Sequence, residues 1–436
     1  MKNLRFKHHE MLRLIGSRIY YRLAFLLLNI TLFYGWDAQV YGSYGAKVGT
    51  WAVLQPLLAV GIGKCALKLL TVHEKLRAWL LREMIKASVI IIFLMNCIVI
   101  SFNLIWKSMF HAPWDYLDIL IGFYSTLGGF SLALQSIGRG LNKDLHDYGV
   151  SLVLGSAALV LSLAVLTQTI TITPLSLVIL LIFLYLGVNL GSLVQLLRQV
   201  PLNRSLAKKP RWAIRRRVWR ETMVMGLNSL IGNATFSVVS VAFRYYNLYE
   251  AAGYFNLVIS AGAFGLAFFE YLLRLFLPKA ASWAYRDRNH RNDSILKKYM
   301  GISVLVILLS LFAGFALALL APNRIPYLFL LWIFLAPIFL LNEVMIFWFE
   351  AISKKKLLHT LYASLAGLMV CTLLIFGTLP WGQAPGALLI LGIGEVVTCL
   401  YLIISFYRNH QRHAYPEIGY EEDDGKPLPK NSGYPG

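Results

Sequence analysis

Apolar residues come in long runs along almost the whole chain, broken only by charges, prolines and glycines. The runs cover roughly 19–36, 48–69, 87–106, 117–137, 150–169, 174–197, 221–243, 253–277, 299–320, 327–349, 357–379 and 388–407. A helix needs about 20 such residues to cross a bilayer. The runs are too long and too uniformly apolar for the short alternating strands of a membrane β-barrel. They predict an all-α polytopic membrane protein with about twelve transmembrane helices. Pro174 begins a new helix after a very short turn, so 150–197 counts as two spans.

An even number of spans puts both termini on one side, and the cations say which. Of the 41 Lys and Arg, 33 fall in the segments 1–18, 70–86, 138–147, 198–220, 278–298, 350–356 and 408–436. The opposite set of loops holds four: Lys47, Lys107, Arg244 and Arg324. The last four, Arg22, Lys64, Lys68 and Arg274, lie inside spans. Such a bias is the positive-inside signature. It predicts a multi-pass protein of the plasma or inner membrane with both termini cytoplasmic. It also accounts for the net charge of +20 without nucleic acid.

Composition narrows the function. Hydrophobic residues make up 58% of the 436 and charged residues 14%, against about 25% charged in soluble domains. A soluble enzyme, a disordered chain and a disulfide scaffold are excluded. The first run ends in Tyr34, Gly35, Trp36 and Asp37, not at a small-residue cleavage site, and reads as an uncleaved helix. Cys65, Cys97, Cys371 and Cys399 lie in spans without metal-type spacing and read as packing residues. No Walker loop, HExxH or Gly-x-Ser-x-Gly occurs. Neither a catalytic centre, a metal site nor a cofactor is expected.

The chain divides into residues 1–197, a basic cytoplasmic linker 198–220, residues 221–407 and a tail 408–436. The two large parts are expected to form six-helix bundles around a central cavity. The linker carries nine Arg and Lys and suits anionic headgroups. The tail combines Glu421, Glu422, Asp423 and Asp424 with Pro427, Pro429 and Pro435, and is expected to be disordered. A weak repeat supports two related halves. Tyr44 precedes Lys64 by 20 residues, and Tyr254 precedes Arg274 by the same 20, at an offset of 210.

The opening Tyr41-Gly42-Ser43-Tyr44, the stretch Leu58-Ala59-Val60-Gly61-Ile62-Gly63-Lys64, the opening Ala252-Gly253-Tyr254-Phe255-Asn256 and the closing Phe276-Leu277-Pro278-Lys279 carry a family resemblance. With twelve spans, residues 14–407 resemble the polysaccharide-transport branch of the superfamily that also contains multidrug and toxic-compound extrusion proteins and lipid II flippases. The resemblance implies a flippase, not an enzyme, moving polyprenyl-pyrophosphate-linked oligosaccharides from the inner to the outer leaflet for polysaccharide biosynthesis by alternating access. Its implied partner is the lipid-linked oligosaccharide, with other polysaccharide-assembly proteins as candidates. The basic linker and acidic tail are not family signatures.

Intramembrane charges are costly, so they pair, snorkel or serve a site. Lys64 lies 16 residues past Val48, about 24 Å along a helix, in the inner half of the membrane. Lys64 and Arg274 are the candidate pyrophosphate ligands, with Lys68 and Arg22 supporting the inner mouth. Snorkelling is the alternative for Arg22 and Lys68, and a helical pair with Glu270 is the alternative for Arg274. Glu270, Glu343, Glu395 and Asp37 are candidates for ion coupling or gating, and each also suits a structural role. Polar residues recur every seven positions at Arg22 and Asn29, Glu221 and Asn228, and Glu343 and Glu350; interhelical hydrogen bonds are the simplest role for the amides. Pro56 and Pro337 mark bending points.

Two other readings stay open. An ion-coupled exporter of small cationic compounds would be dominated by buried acids. A membrane-embedded glycan polymerase or ligase would be expected to carry a large outer loop rich in Arg or His.

Overall fold

The computed structural model describes residues 8–72, 77–110, 115–141, 144–199, 212–262, 324–352 and 357–411. Every regular element among them is a helix. In order these are α1 (His8–Gly35), α2 (Ala38–Ala52), α3 (Gly63–Val72), α4 (Arg77–Phe110), α5 (Tyr116–Gly140), α6 (Asp144–Leu166), α7 (Pro174–Gln199), α8 (Trp212–Tyr245), α9 (249–262) and α10 (Arg324–Ile352). The final stretch Leu357–Gln411 is two helices, α11 before and α12 after a break at Gln383 (φ 45°, ψ −135°). Among the described residues, six helices are long and apolar enough to cross a membrane. Residues 263–277 of the expected span 253–277, the expected span 299–320, residues 200–211 of the linker 198–220 and the tail from 412 lie outside the described residues.

Several helices outrun their apolar stretches. α1 begins at His8 and α8 at Trp212, well before the first apolar residue of the span. A helix satisfies its own backbone in water and lipid alike, so hydropathy marks the membrane crossing and not the helix end. The two boundaries that sequence chemistry fixes are sharp. Asp115 caps α5, its Oδ1 accepting from the Asp118 amide at 3.2 Å. Thr173 and Ser176 form a reciprocal capping box around Pro174, at 3.2 and 2.9 Å, which starts α7.

The second span is interrupted as the proline suggests. After Pro56 the chain winds as a π-helix over Leu57–Ile62 before α3 resumes α-geometry. Proline withholds one donor, and π segments concentrate at functional sites. Gly129 of α5 lets this segment approach: a Cβ there would lie 2.8 Å from the Gln55 carbonyl oxygen.

Two apolar clusters divide the molecule into lobes. The first gathers Leu28, Leu58, Leu81, Ile121, Leu134 and Val178 from α1 to α7. The second gathers Val239, Phe243, Phe255, Trp332, Ile375 and Leu391 from α8 to α12, and Phe349, Ala363 and Leu402 extend that side. The outward face is apolar too: Phe93, Ile98 and Leu104 of α4 are exposed while Ile91, Met95 and Val99 are buried. An exposed apolar girdle of this size needs lipid, not water.

Small residues let the lobes meet. α2 and the π segment run along α8 and α9. A Cβ on Gly42 would lie 1.6 Å from the Tyr249 carbonyl oxygen, on Gly45 2.6 Å from Asn256, on Gly49 2.1 Å from Ser240, and on Gly61 2.9 Å from Gly226. The contact is reciprocal: Gly42 meets Tyr249 and Gly253, while Gly253 meets Ala38 and Gly42. A two-fold axis makes each half touch its own counterpart, and an offset of 210 maps Gly42 to within one residue of Gly253. Gly42→Ala is therefore expected to push the lobes apart, at about 1–3 kcal/mol. Thermal unfolding in detergent checks it, with Gly187→Ala, which has open space around it, as the unaffected control.

Candidate functional site

The orientation expected from the charge bias would make the end of the bundle carrying Gly35, Lys47 and Arg244 the outer one and the end carrying Arg18, Cys65 and Thr222 the inner one, and the two ends are named accordingly. Four polar constellations lie between them.

The first is at the inner end of the first lobe. Arg18 of α1 donates through Nη2 to Oε1 of Gln135 on α5. Gln135 also donates to Ser131 at 3.4 Å. One turn on, Arg139 is buried, with 6% of its surface exposed. α3 packs on the same stretch of α5: a Cβ on Gly63 would lie 2.9 Å from the Ser136 hydroxyl. That places the backbone of Lys64 beside the helix of Gln135, Ser136 and Arg139. Lys68 follows one turn along α3. Arg22 lies one turn beyond Arg18 on α1 and is exposed. Arg274 and Glu270 lie outside the described residues.

Arg18 and Arg139 are absent from the sequence-derived candidates. Both had been assigned to inner loops, 1–18 and 138–147, because a span was ended at its first charge. The structure places both within helices, and Arg139 in the last turn of α5. The available signal was the i,i+4 spacing of Arg18 and Arg22 and the glycines on either side of Arg139.

The second constellation joins the lobes at the outer end. Asp118, fully buried in the first turn of α5, receives both guanidinium nitrogens of Arg244, at 3.1 and 2.9 Å. The Trp51 indole donates to the same carboxylate at 2.8 Å. The Trp106 ring stacks on the Arg244 guanidinium at 5.1 Å, and Phe102 fills the space between Trp51 and Trp106. Beside it, Lys47 pairs with Asp115 at 2.6 Å. Two of the four cations read as outer-loop charges are thus held in ion pairs.

The third lies within the second lobe. Asn342 of α10 is buried and donates to Glu395 of α12, at 2.5 Å to Oε2 and 2.8 Å to its backbone oxygen. Thr398, one turn on, bridges to the Ala363 carbonyl at 3.3 Å, and Ser364 donates to Asn228 of α8 at 3.0 Å. The amides do link helices here, though Asn233 only bonds back to Ser229 of its own helix. Glu343, one residue round the helix from Asn342, is exposed.

The fourth is an outer cavity of about 1640 Å³. Its described lining includes Asp37, Glu250, Tyr249, Tyr254, Tyr327 and Gln383. Asp37 and Glu250 make it acidic. Asp37 stands at the opposite end of the bundle from Arg18 and Arg139. Of the sequence-derived candidates that are described, Lys64, Lys68 and Arg22 therefore lie toward the end of Arg18 and Arg139, Glu395 is half-buried in the second lobe, Glu343 is exposed and Asp37 lines the outer acidic cavity.

No family model and no curated protein matches the sequence. Solved structures do match in shape. A multidrug resistance MATE family transporter of the MOP superfamily, in an inward-facing conformation, superposes with a TM-score of 0.65 at 14% identity, over 91% of this chain and 94% of that one. The MATE multidrug transporter DinF-BH gives 0.67 at 12% identity, over 94% and 98%. A MOP superfamily transporter from Pyrococcus furiosus, whose binding pocket has reversed polarity, gives 0.61 at 13%, over 92% and 95%. The chain has the MATE fold. Its described helices form two lobes, as in those transporters.

Proposed function

We propose that the protein is an alternating-access flippase that moves a polyprenyl-pyrophosphate-linked oligosaccharide from the inner to the outer leaflet. The observation that carries this reading is the buried guanidinium group of Arg139 beside Arg18 and Gln135, next to the backbone of Lys64. A pyrophosphate made inside meets this end first. Arg binds phosphate through a fork of donors and Lys as a point charge. In a partly dry cavity such charges act far more strongly than in water. The polyprenyl tail stays in the bilayer while the headgroup crosses between the lobes. At the outer side the acidic lining with Asp37 and Glu250 disfavours the anion and so favours release.

Glu395, with Asn342, is the best-placed group for ion coupling, since it is held inside the second lobe away from the cationic end. The linker 198–220 would rest on anionic lipids of the inner leaflet, and both termini would be cytoplasmic. A reporter fused at the C-terminus is expected to be active inside, and one inserted at 380–387 outside; an external C-terminus overturns the orientation.

Two variants test the substrate site. Lys64→Ala removes one phosphate contact, and Arg274→Gln with Glu270→Gln removes another without leaving a lone charge. Each is expected to slow surface appearance of the glycan by roughly 10–150-fold at unchanged protein level, the worth of one charge-assisted contact. Wild-type flipping in both removes the phosphate site. The export of small cations is a second reading, favoured by the carboxylates and tyrosine rings of the outer cavity. Extrusion of a cationic dye separates the two.

A further inference from the structure

The Asp118–Arg244 pair is more elaborate than a stabilising ion pair requires. Its carboxylate takes three donors, two from one lobe and one from Trp51 of the other. An aromatic wall of Trp51, Phe102 and Trp106 keeps water from it. Asp115 caps the helix that carries Asp118 and is itself held by Lys47. Several neighbouring contacts between the lobes at this depth have a small residue on one side and no charge. Ser237 of α8 donates to the Gly49 carbonyl at 2.8 Å, and Gly42 and Gly45 face Tyr249 and Asn256. Contacts of this kind leave no lone ion when the lobes separate.

We propose that Asp118 and Arg244 are the outer latch of the transporter, the contact that holds the two lobes together on the outer side and must break for that side to open. The physical reason is that the pair is all-or-none. Shielded by the tryptophans, two opposite charges joined by a fork of hydrogen bonds attract strongly. Once the lobes part and water enters, each ion is hydrated and the attraction becomes small. An interface with that property has two arrangements and little between them, which alternating access requires. Toward the inner end of the same interface, the contacts seen among the described residues are uncharged: Thr222 of α8 donates to the Cys65 sulfur at 3.0 Å, and Gly61 faces Gly226. Loss of the outer pair should therefore tip the molecule toward an outward-open form. The proposal rests on the alternating-access reading but not on which substrate is carried.

The test uses one reporter cysteine at each end of the lobe interface. Ser237→Cys, in a chain without its native cysteines, reports the outer end. Cys65, kept alone with Cys97, Cys371 and Cys399 replaced by Ala, reports the inner end. The latch is released by Asp118→Asn with Arg244→Gln, which removes both charges and keeps the polar shapes. Labelling is measured with a charged methanethiosulfonate in membranes opened to both sides, on protein that elutes as a single species. The expected result is that Ser237→Cys labels roughly 10–150-fold faster in the released variant, while Cys65 labels more slowly. Unchanged rates at both ends overturn the latch and leave alternating access standing. A rise at both ends together overturns the latch and counts against alternating access itself, because it shows loosening without reciprocity. Arg244→Lys is the second variant: it keeps the charge but loses the fork, and an intermediate rate at Ser237→Cys is expected, whereas a wild-type rate contradicts the role of the fork.

Discussion

Replacing Arg139 with glutamine is expected to lower the rate at which the glycan reaches the cell surface by roughly 10–150-fold, the value of one charge-assisted contact to phosphate. Arg139 is buried in the last turn of α5 with Gln135 and Ser136 on the turn before it. Glutamine keeps the stem and a donor, so the helix and its packing should survive. Arg18→Gln should act in the same direction, because its Nη2 already reaches into this group through Gln135. If the two positions serve one headgroup, Arg18→Gln combined with Arg139→Gln should cost less than the product of the single losses, since neighbouring contacts do not add. Surface glycan labelling, normalised to protein level, reads all three. Full activity in the double variant would leave the inner cations with a structural role only.

Removing one partner of the outer ion pair should give the largest loss of stability in the molecule. Asp118→Leu leaves the Arg244 guanidinium buried against Trp106 with no counter-charge, at a cost of about 3–5 kcal/mol. Combining it with Arg244→Met replaces both charges by apolar groups, leaves no lone ion and should restore much of that loss. Thermal unfolding in detergent of the wild type, the single and the double variant decides the matter. A single variant as stable as wild type would mean that water reaches the pair, in conflict with its complete burial.

The helical framework was legible in the chain because a bilayer requires one solution: apolar runs must close their own backbone hydrogen bonds. The short turn before Pro174 was legible for the same reason that Thr173 and Ser176 cap it, since capping chemistry is local. The polar sites were read less completely. A span that is ended at its first charge discards any charge that the lobe buries, and Arg18 and Arg139 were lost in that way. Asp118 was lost at the opposite end, as the second residue of a span that otherwise reads as apolar. Its partner Arg244 was counted as a loop cation, because the pairing bridges 126 positions of sequence. Long-range pairing leaves no periodic trace in a single chain. The Asn342–Glu395 contact shows the same limit: each residue stood out as polar within its span, but only the packing of α10 on α12 joins them. Glu343, one position away, was picked by its heptad partner Glu350, yet the helix turns it outward.

The most direct measurement reconstitutes the purified protein in liposomes that carry a polyprenyl-pyrophosphate-linked oligosaccharide and follows its arrival in the opposite leaflet with a membrane-impermeant probe. Wild-type vesicles are expected to move the lipid faster than protein-free vesicles, and Arg18→Gln with Arg139→Gln to fall back toward the protein-free rate. Wild-type vesicles that move the lipid no faster than protein-free ones, while accumulating a cationic dye, would contradict the flippase reading and turn the acidic outer cavity into the substrate site.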